Sequence, residues 1–184
     1  MRRKRVIATA NGLLIVVALV LPALDTFAQP LRQRLGSVGD IAFGTTYEDA
    51  KIGSEALDGL AYTTGDRRVL KTLTQHKATV FDTRFNLTYV FGQDDRLTRV
   101  FGSHPNMLSL DRKACAAHGA DLFAASVRQY GSPDLDKSKR ESREWRFNFA
   151  DGRWIKLKFV FGGILDKCSI TLDSATPEGR SDRP

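Results

Sequence analysis

The chain has 184 residues, with 28 Lys+Arg against 21 Asp+Glu, a formal charge of +7 and eleven phenylalanines. That length supports one sizeable core rather than two. Arg2, Arg3, Lys4 and Arg5 precede an apolar run; without that leader the remainder carries only about +4, which excludes a dedicated nucleic-acid binder.

The leader reads as a Sec-type export signal over residues 1–28. A basic start is followed by the apolar run Val6 to Leu24, interrupted by Asn11, Gly12 and Pro22, and then by Asp25-Thr26-Phe27-Ala28. Small residues stand at the two positions a signal peptidase reads, so cleavage is expected after Ala28, releasing a periplasmic or secreted protein that begins at Gln29. The alternative is an uncleaved anchor, since about nineteen residues just span a bilayer. No cysteine follows the run, so a lipid-modified N-terminus is not indicated.

Residues 29–40 (QPLRQRLGSVGD) show no period and read as a linker. Thr45 and Glu48 have capping-box spacing ahead of a helix from about Thr46 to Leu57, with Tyr47, Ala50 and Leu57 inward. Asp58-Gly59 and Gly65-Asp66 read as its exit loop. Leu70–Thr74 and Ala78–Phe81 are rich in strand formers, with His76-Lys77 between them. Phe85, Leu87, Tyr89 and Phe91 alternate with Asn86, Thr88 and Val90, and after the turn Gly92–Arg96 a strand returns over Leu97–Phe101. A loop, Ser103–Ser109, follows.

Asp111 is a good N-cap for a second helix to Tyr130. Its Cys115, Gly119, Leu122, Phe123, Ser126, Val127 and Tyr130 recur at three- and four-residue spacings, while Gly131 and Pro133 end it. Leu135–Ser142 reads as a charged connector. Trp145, Phe147 and Phe149 then alternate with polar residues up to an Asp151-Gly152 hairpin turn. Ile155, Leu157, Phe159 and Phe161 share one face of the next strand, and Trp154, Lys156, Lys158 and Val160 the other. After Gly162-Gly163 the last strand carries Cys168, Ile170 and Leu172 in phase, and 174–184 is a polar tail expected to be disordered.

The run NLTYVF-GQDDR-LTRVF lies over EWRFNF-ADGR-WIKLKFVF, each preceded by a capped helix. The expected fold is therefore α+β, a single domain over 41–173. Two helix-plus-antiparallel-strands units, at 41–103 and 110–173, form one antiparallel sheet with the helices packed on one face. Cys115 on the inward stripe of the helix and Cys168 on the inward face of the last strand predict a disulfide, as an exported protein permits.

Two short stretches carry a resemblance. Gly44-Thr45-Thr46-Tyr47-Glu48-Asp49-Ala50-Lys51 resembles the G-x-T-x-x-E/Q-V/A helix start of small bacterial envelope domains, and Tyr130-Gly131-Ser132-Pro133 resembles the L/Y-G-x-P that ends such helices. The families are the β-lactamase-inhibitor-protein-like domains and the outer-membrane-assembly lipoproteins of the SmpA/OmlA type. The resemblance spans most of 41–172 and implies helices against one face of an antiparallel sheet, and binding rather than catalysis. The chain lacks the lipidation cysteine and spaces its first helix and strands irregularly, so no functional residue is carried over.

Catalytic signals are sparse. His76, His104 and His118 lack metal-ligand spacing, no G-x-S-x-G elbow occurs, Gly162-Gly163 lies between strands and Asp94-Asp95 offers too few oxygens for Ca²⁺. No catalytic residue, metal or cofactor is expected. The strongest local feature is basic: Lys137, Lys139, Arg140, Arg143, Arg146, Arg153, Lys156 and Lys158. Of these, Arg146, Lys156 and Lys158 would join Trp154 on the face opposite the core, a candidate docking face for an acidic envelope protein or anionic envelope polymer. An ordinary solvated face guarded by lysines is the plain alternative. The expected function is an exported, non-enzymatic binding protein that does not engage nucleic acid. A small periplasmic enzyme, or a lipid or small-ligand carrier, stands as the alternative.

Overall fold

The computed structural model describes residues 32, 34–52, 57–63, 69–105, 111–162 and 167–180, the side chains of 57–63, 69 and 180 excepted. The leader and its cleavage point lie outside the described residues, as do Gly53, most of the loop before Asp111, and Gly163. Among the described residues no helix is long and apolar enough to cross a membrane.

Two short strands, β1 (Ser37–Val38) and β2 (Ile41–Ala42), form a small hairpin, followed by helix α1 (Tyr47–Ile52). Four strands come next: β3 (Leu57–Thr63), β4 (Val69–Val80), β5 (Thr83–Phe91) and β6 (Leu97–Ser103). Helix α2 (Arg112–Tyr130) leads to β7 (Leu135–Lys139), β8 (Ser142–Asn148), β9 (Trp154–Gly162) and β10 (Lys167–Ala175), then a 3₁₀ turn over Glu178–Arg180. The eight longer strands make one antiparallel sheet in the order β3-β4-β5-β6-β10-β9-β8-β7. The expected α+β class and antiparallel sheet are thus observed, the sheet joining two meanders through β6 and β10.

One face of this sheet is the core. Phe85, Leu87 and Tyr89 from β5, Trp145 and Phe147 from β8, Ile155 and Leu157 from β9, and Cys168 and Ile170 from β10 are buried together. Period-two alternation puts them on one side, because successive side chains in a strand point to opposite faces. Both helices meet that side. Tyr47 of α1 stands edge-on to Phe91 at 5.3 Å, and Phe123 of α2 stands edge-on to Trp145 at 5.5 Å. The Trp145 indole N–H donates to Ser126 Oγ at 3.0 Å, so the largest core side chain has its polar atom satisfied. Gly119 is needed where α2 crosses β9: a Cβ there would come within 2.5 Å of the Phe159 ring.

The expected cysteine pair is present. Cys115 and Cys168 form a disulfide with a Cα–Cα separation of 5.6 Å, pinning α2 to β10. Helix α2 also begins and ends as expected, with Asp111 Oδ1 accepting from the Ala114 N–H at 2.7 Å and Gly131 at φ 77° donating to Val127 O.

Several expectations are corrected. The first helix is described over Tyr47–Ile52 and has given way to strand by Leu57, and its cap is Thr46, whose Oγ1 accepts from the Asp49 N–H at 3.2 Å; Thr45 and Glu48 do not form the box. Leu57 belongs to β3, which takes in Asp58-Gly59 of the expected exit loop, while Gly65-Asp66 lies outside the described residues; the charged connector contains β7. The two strand pieces around His76-Lys77 are one long β4 with a register shift between Gln75 and Ala78. The described part of 29–40 is no mere linker, since Leu35 and Val38 are buried in the core and Arg32 reaches across the fold. The Arg32 guanidinium donates to Asp134 Oδ2, Tyr130 O, Ser132 O and Asn148 O, and lies 4.9 Å from the Phe147 ring centre. At the other end the chain is ordered through residue 180, because the Thr176 N–H donates to Thr98 O and Gly179 packs against that same carbonyl.

Burial pushes two phenols upward. Tyr130 rises from 10.0 to about 12. Tyr89, fully buried and donating to Gln75 Oε1, is raised further still. A raised folded value means the stabilisation is fully present below the unfolded value near pH 10 and is lost as pH climbs through the folded value. Two of the chain's four tyrosines should therefore ionise late in an ultraviolet titration. Tyr130→Phe should make stability fall less steeply above pH 10. Four phenols titrating together near pH 10 in the folded protein would refute this.

Candidate functional site

The antiparallel register decides which of the basic residues act together. Arg146 of β8 lies directly opposite Lys156 of β9, Asn148 opposite Trp154, and Glu144 opposite Lys158. These positions alternate with Trp145, Phe147, Ile155 and Leu157, all fully buried. Arg146, Trp154, Lys156 and Lys158 therefore share the face away from both helices, as the period-two reading expected. The Lys156 ammonium sits 5.7 Å from the Trp154 ring centre, within cation–π range. Arg146 Nε is buried and has no hydrogen-bond partner among the described residues.

The other basic residues of 137–158 are employed elsewhere. Arg143 points to the helix side, where its guanidinium lies 3.4 Å from the Phe123 ring centre and pairs with Asp136 at 2.9 and 2.5 Å. The Arg143 hydrogen bonds hold the Asp136 carboxyl below its ordinary value. Arg153 donates to Leu35 O at 2.7 Å and lies 3.6 Å from Asp151. Lys137, Lys139 and Arg140 lie along the exposed edge strand and its turn, where cations discourage pairing with another sheet.

The open face has a centre that sequence reasoning missed. Asp173 of β10 stands opposite Lys156 on one side and Phe101 on the other. Its carboxylate accepts from Arg99 Nε and Nη2 of β6, both at 3.0 Å, and lies 3.7 Å from Lys156 Nζ. Around this triad is an open depression of about 500 Å³, lined by Thr88, Arg99, Phe101, Glu144, Lys158 and Asp173 among others. Arg99 and Phe101 alternate with Val100 along β6, so their face was readable. That β6 would lie beside β10 was not.

Arg99, Arg146, Lys156 and Lys158 set four cations against Glu144 and Asp173, with Trp154 and Phe101 as flat apolar surfaces between them. Charge of this kind guides encounter and orientation, and aromatic anchors slow dissociation. A second depression of about 380 Å³ includes Gly44, Gly92, Arg96, Thr98, Arg153 and Glu178. Its two arginines are held by the protein's own carbonyls, Arg96 by Gly44 O at 2.8 Å and Arg153 by Leu35 O. Among the described residues no three His, Cys, Asp or Glu side chains gather as a metal-binding group. The fold does, however, bring two of the scattered histidines together: the rings of His104 and His118 lie 5.9 Å apart.

Comparison with known proteins finds no matching family model, no matching curated protein and no matching solved structure.

Proposed function

We propose that this chain is an exported, non-enzymatic binding protein whose open sheet face docks an acidic segment of an envelope protein. The observation that carries the reading is the cross-strand alignment of Arg146, Lys156 and Lys158 with Trp154, beside the Arg99–Asp173 depression. The disulfide supports export, because such bonds persist in oxidising compartments. The strand order supports an internal duplication, α1 with β3–β6 and α2 with β7–β10, each a helix before a four-stranded meander. A tandem of this form is also what the resemblance to the β-lactamase-inhibitor-protein-like and SmpA/OmlA-type envelope domains implies.

Charge reversal tests the face. Lys156 and Lys158 point away from Ile155 and Leu157, so they can change without disturbing the core. Arg146→Glu with Lys156→Glu and Lys158→Glu moves the local charge by about six units; the exposed Lys158 should change within about 0.5 kcal/mol of stability, whereas Arg146, with its Nε buried, and Lys156, 3.7 Å from Asp173, cost more. The triple variant should keep the wild-type circular dichroism spectrum while losing a partner that the wild type retains from envelope extract. Association with that partner should slow, and its dependence on salt should flatten. Trp154→Ala should act on dissociation instead. If the triple variant binds the same partner with unchanged affinity at low ionic strength, these residues only keep the sheet soluble.

A further inference from the structure

The histidine pair lies on the helix side of the sheet, away from the docking face. His104 follows β6, and its backbone N–H donates to Ile170 O of β10 at 3.0 Å. His118 lies on α2, three residues after Cys115, so it stands about one helical turn further along. The Cys115–Cys168 bond thus ties together the two elements that support the rings, since Cys168 is two residues from Ile170 on β10. The ring centroids are 5.9 Å apart and the planes are tilted by 43°.

We propose that His104 and His118 form a two-imidazole site for a borderline divalent transition metal, Zn²⁺ or Cu²⁺. Such ions bind imidazole nitrogen at about 2.0–2.1 Å, which places the centres of two rings on one ion roughly 5–6 Å apart. The observed centroid spacing of 5.9 Å falls within that span. Two protein ligands leave the remaining positions to water or an external ligand, so the site is open and its ion exchangeable. An occupied site would bridge the end of β6 to α2 beside the disulfide. The proposal does not rest on the docking reading, because its residues lie on the other face.

The exported chain should be titrated with Zn²⁺ and, separately, Cu²⁺ near neutral pH, following heat and thermal melting, with His76→Ala as an internal control. One ion per chain is expected, with a rise in melting temperature, and His76→Ala should match the wild type. Changes in the outer sphere of a metal site already weaken binding on the order of 10–100-fold, so His104→Ala or His118→Ala should lose at least about tenfold. Electron paramagnetic resonance of the Cu²⁺ form should show two nitrogen ligands, reduced to one in either variant. His104→Asn and His118→Gln retain polar side chains and serve if an alanine variant fails to fold. Unchanged affinity and spectrum when both histidines are replaced, or an equal loss with His76→Ala, would overturn the assignment.

Discussion

Replacing Cys168 by serine should lower the free energy of unfolding by about 4 kcal/mol, measured as a shift of the denaturant midpoint. The bond joins residues 53 apart in sequence, and the chain-entropy argument gives that magnitude for a loop of this size. Both sulfurs are fully buried, at 0% exposure, and they join α2 to the centre of the sheet. A reductant should therefore act slowly on the folded protein and quickly once denaturant opens it. Serine at position 168 would also place a hydroxyl in an apolar setting, so Cys115→Ala with Cys168→Ala isolates the cross-link. Equal midpoints for that double variant and the wild type would show that the helix docks through packing alone. Two titratable thiols in the unfolded, unreduced protein would show that the bond does not form.

Asp173→Ala should be nearly as damaging, by about 3 kcal/mol, although Asp173 lies on the open face. Arg99 is only 9% exposed, and Asp173 holds it through two hydrogen bonds of 3.0 Å. Removing the carboxylate leaves a guanidinium in a poorly solvated position without its paired charge, the circumstance in which a broken ion pair costs most. Lys156, which lies 3.7 Å from the Asp173 carboxylate, would then lose the negative charge it shares with Arg99. Arg99→Met with Asp173→Leu should recover most of the loss, because paired charges and well-packed apolar residues are often close in free energy. A loss below about 1 kcal/mol for Asp173→Ala would mean that water replaces the carboxylate, as in an ordinary surface pair. The outcome bears on docking as well: a rigid triad presents a preset surface, whereas a loose one must be ordered by its partner.

The two strands of the large sheet that sequence reasoning missed, β3 and β7, are its two edges. Strand β7, LDKSK, is exposed along four of its five residues, so it carries no hydrophobic alternation to read. An edge strand forms because a neighbour offers unpaired N–H and C=O groups, and backbone pairing writes little into side-chain pattern. The central strands were legible for the opposite reason: one face of β5, β8 and β9 is buried, and burial enforces the alternation. The short cap of α1 was misplaced by one residue because Thr45 and Thr46 offer the same hydroxyl, and only the local geometry chooses between them. Arg32 and Thr176 looked like parts of loose ends because their partners, Asp134 and Thr98, are far away in sequence.

The sequence by itself determined the antiparallel class, the span and caps of α2, the cysteine pairing, and the shared face of Arg146, Trp154, Lys156 and Lys158. Each of these follows from a local period or a phase, and a period of two or 3.6 residues is set by backbone geometry wherever the segment lies. Only the tertiary structure decided that β6 lies beside β10, placing Arg99 against Asp173, and that His104 rests under α2 near His118. Those are contacts between distant segments. Whether they form depends on strand order and crossing, which no period in a single stretch of chain encodes.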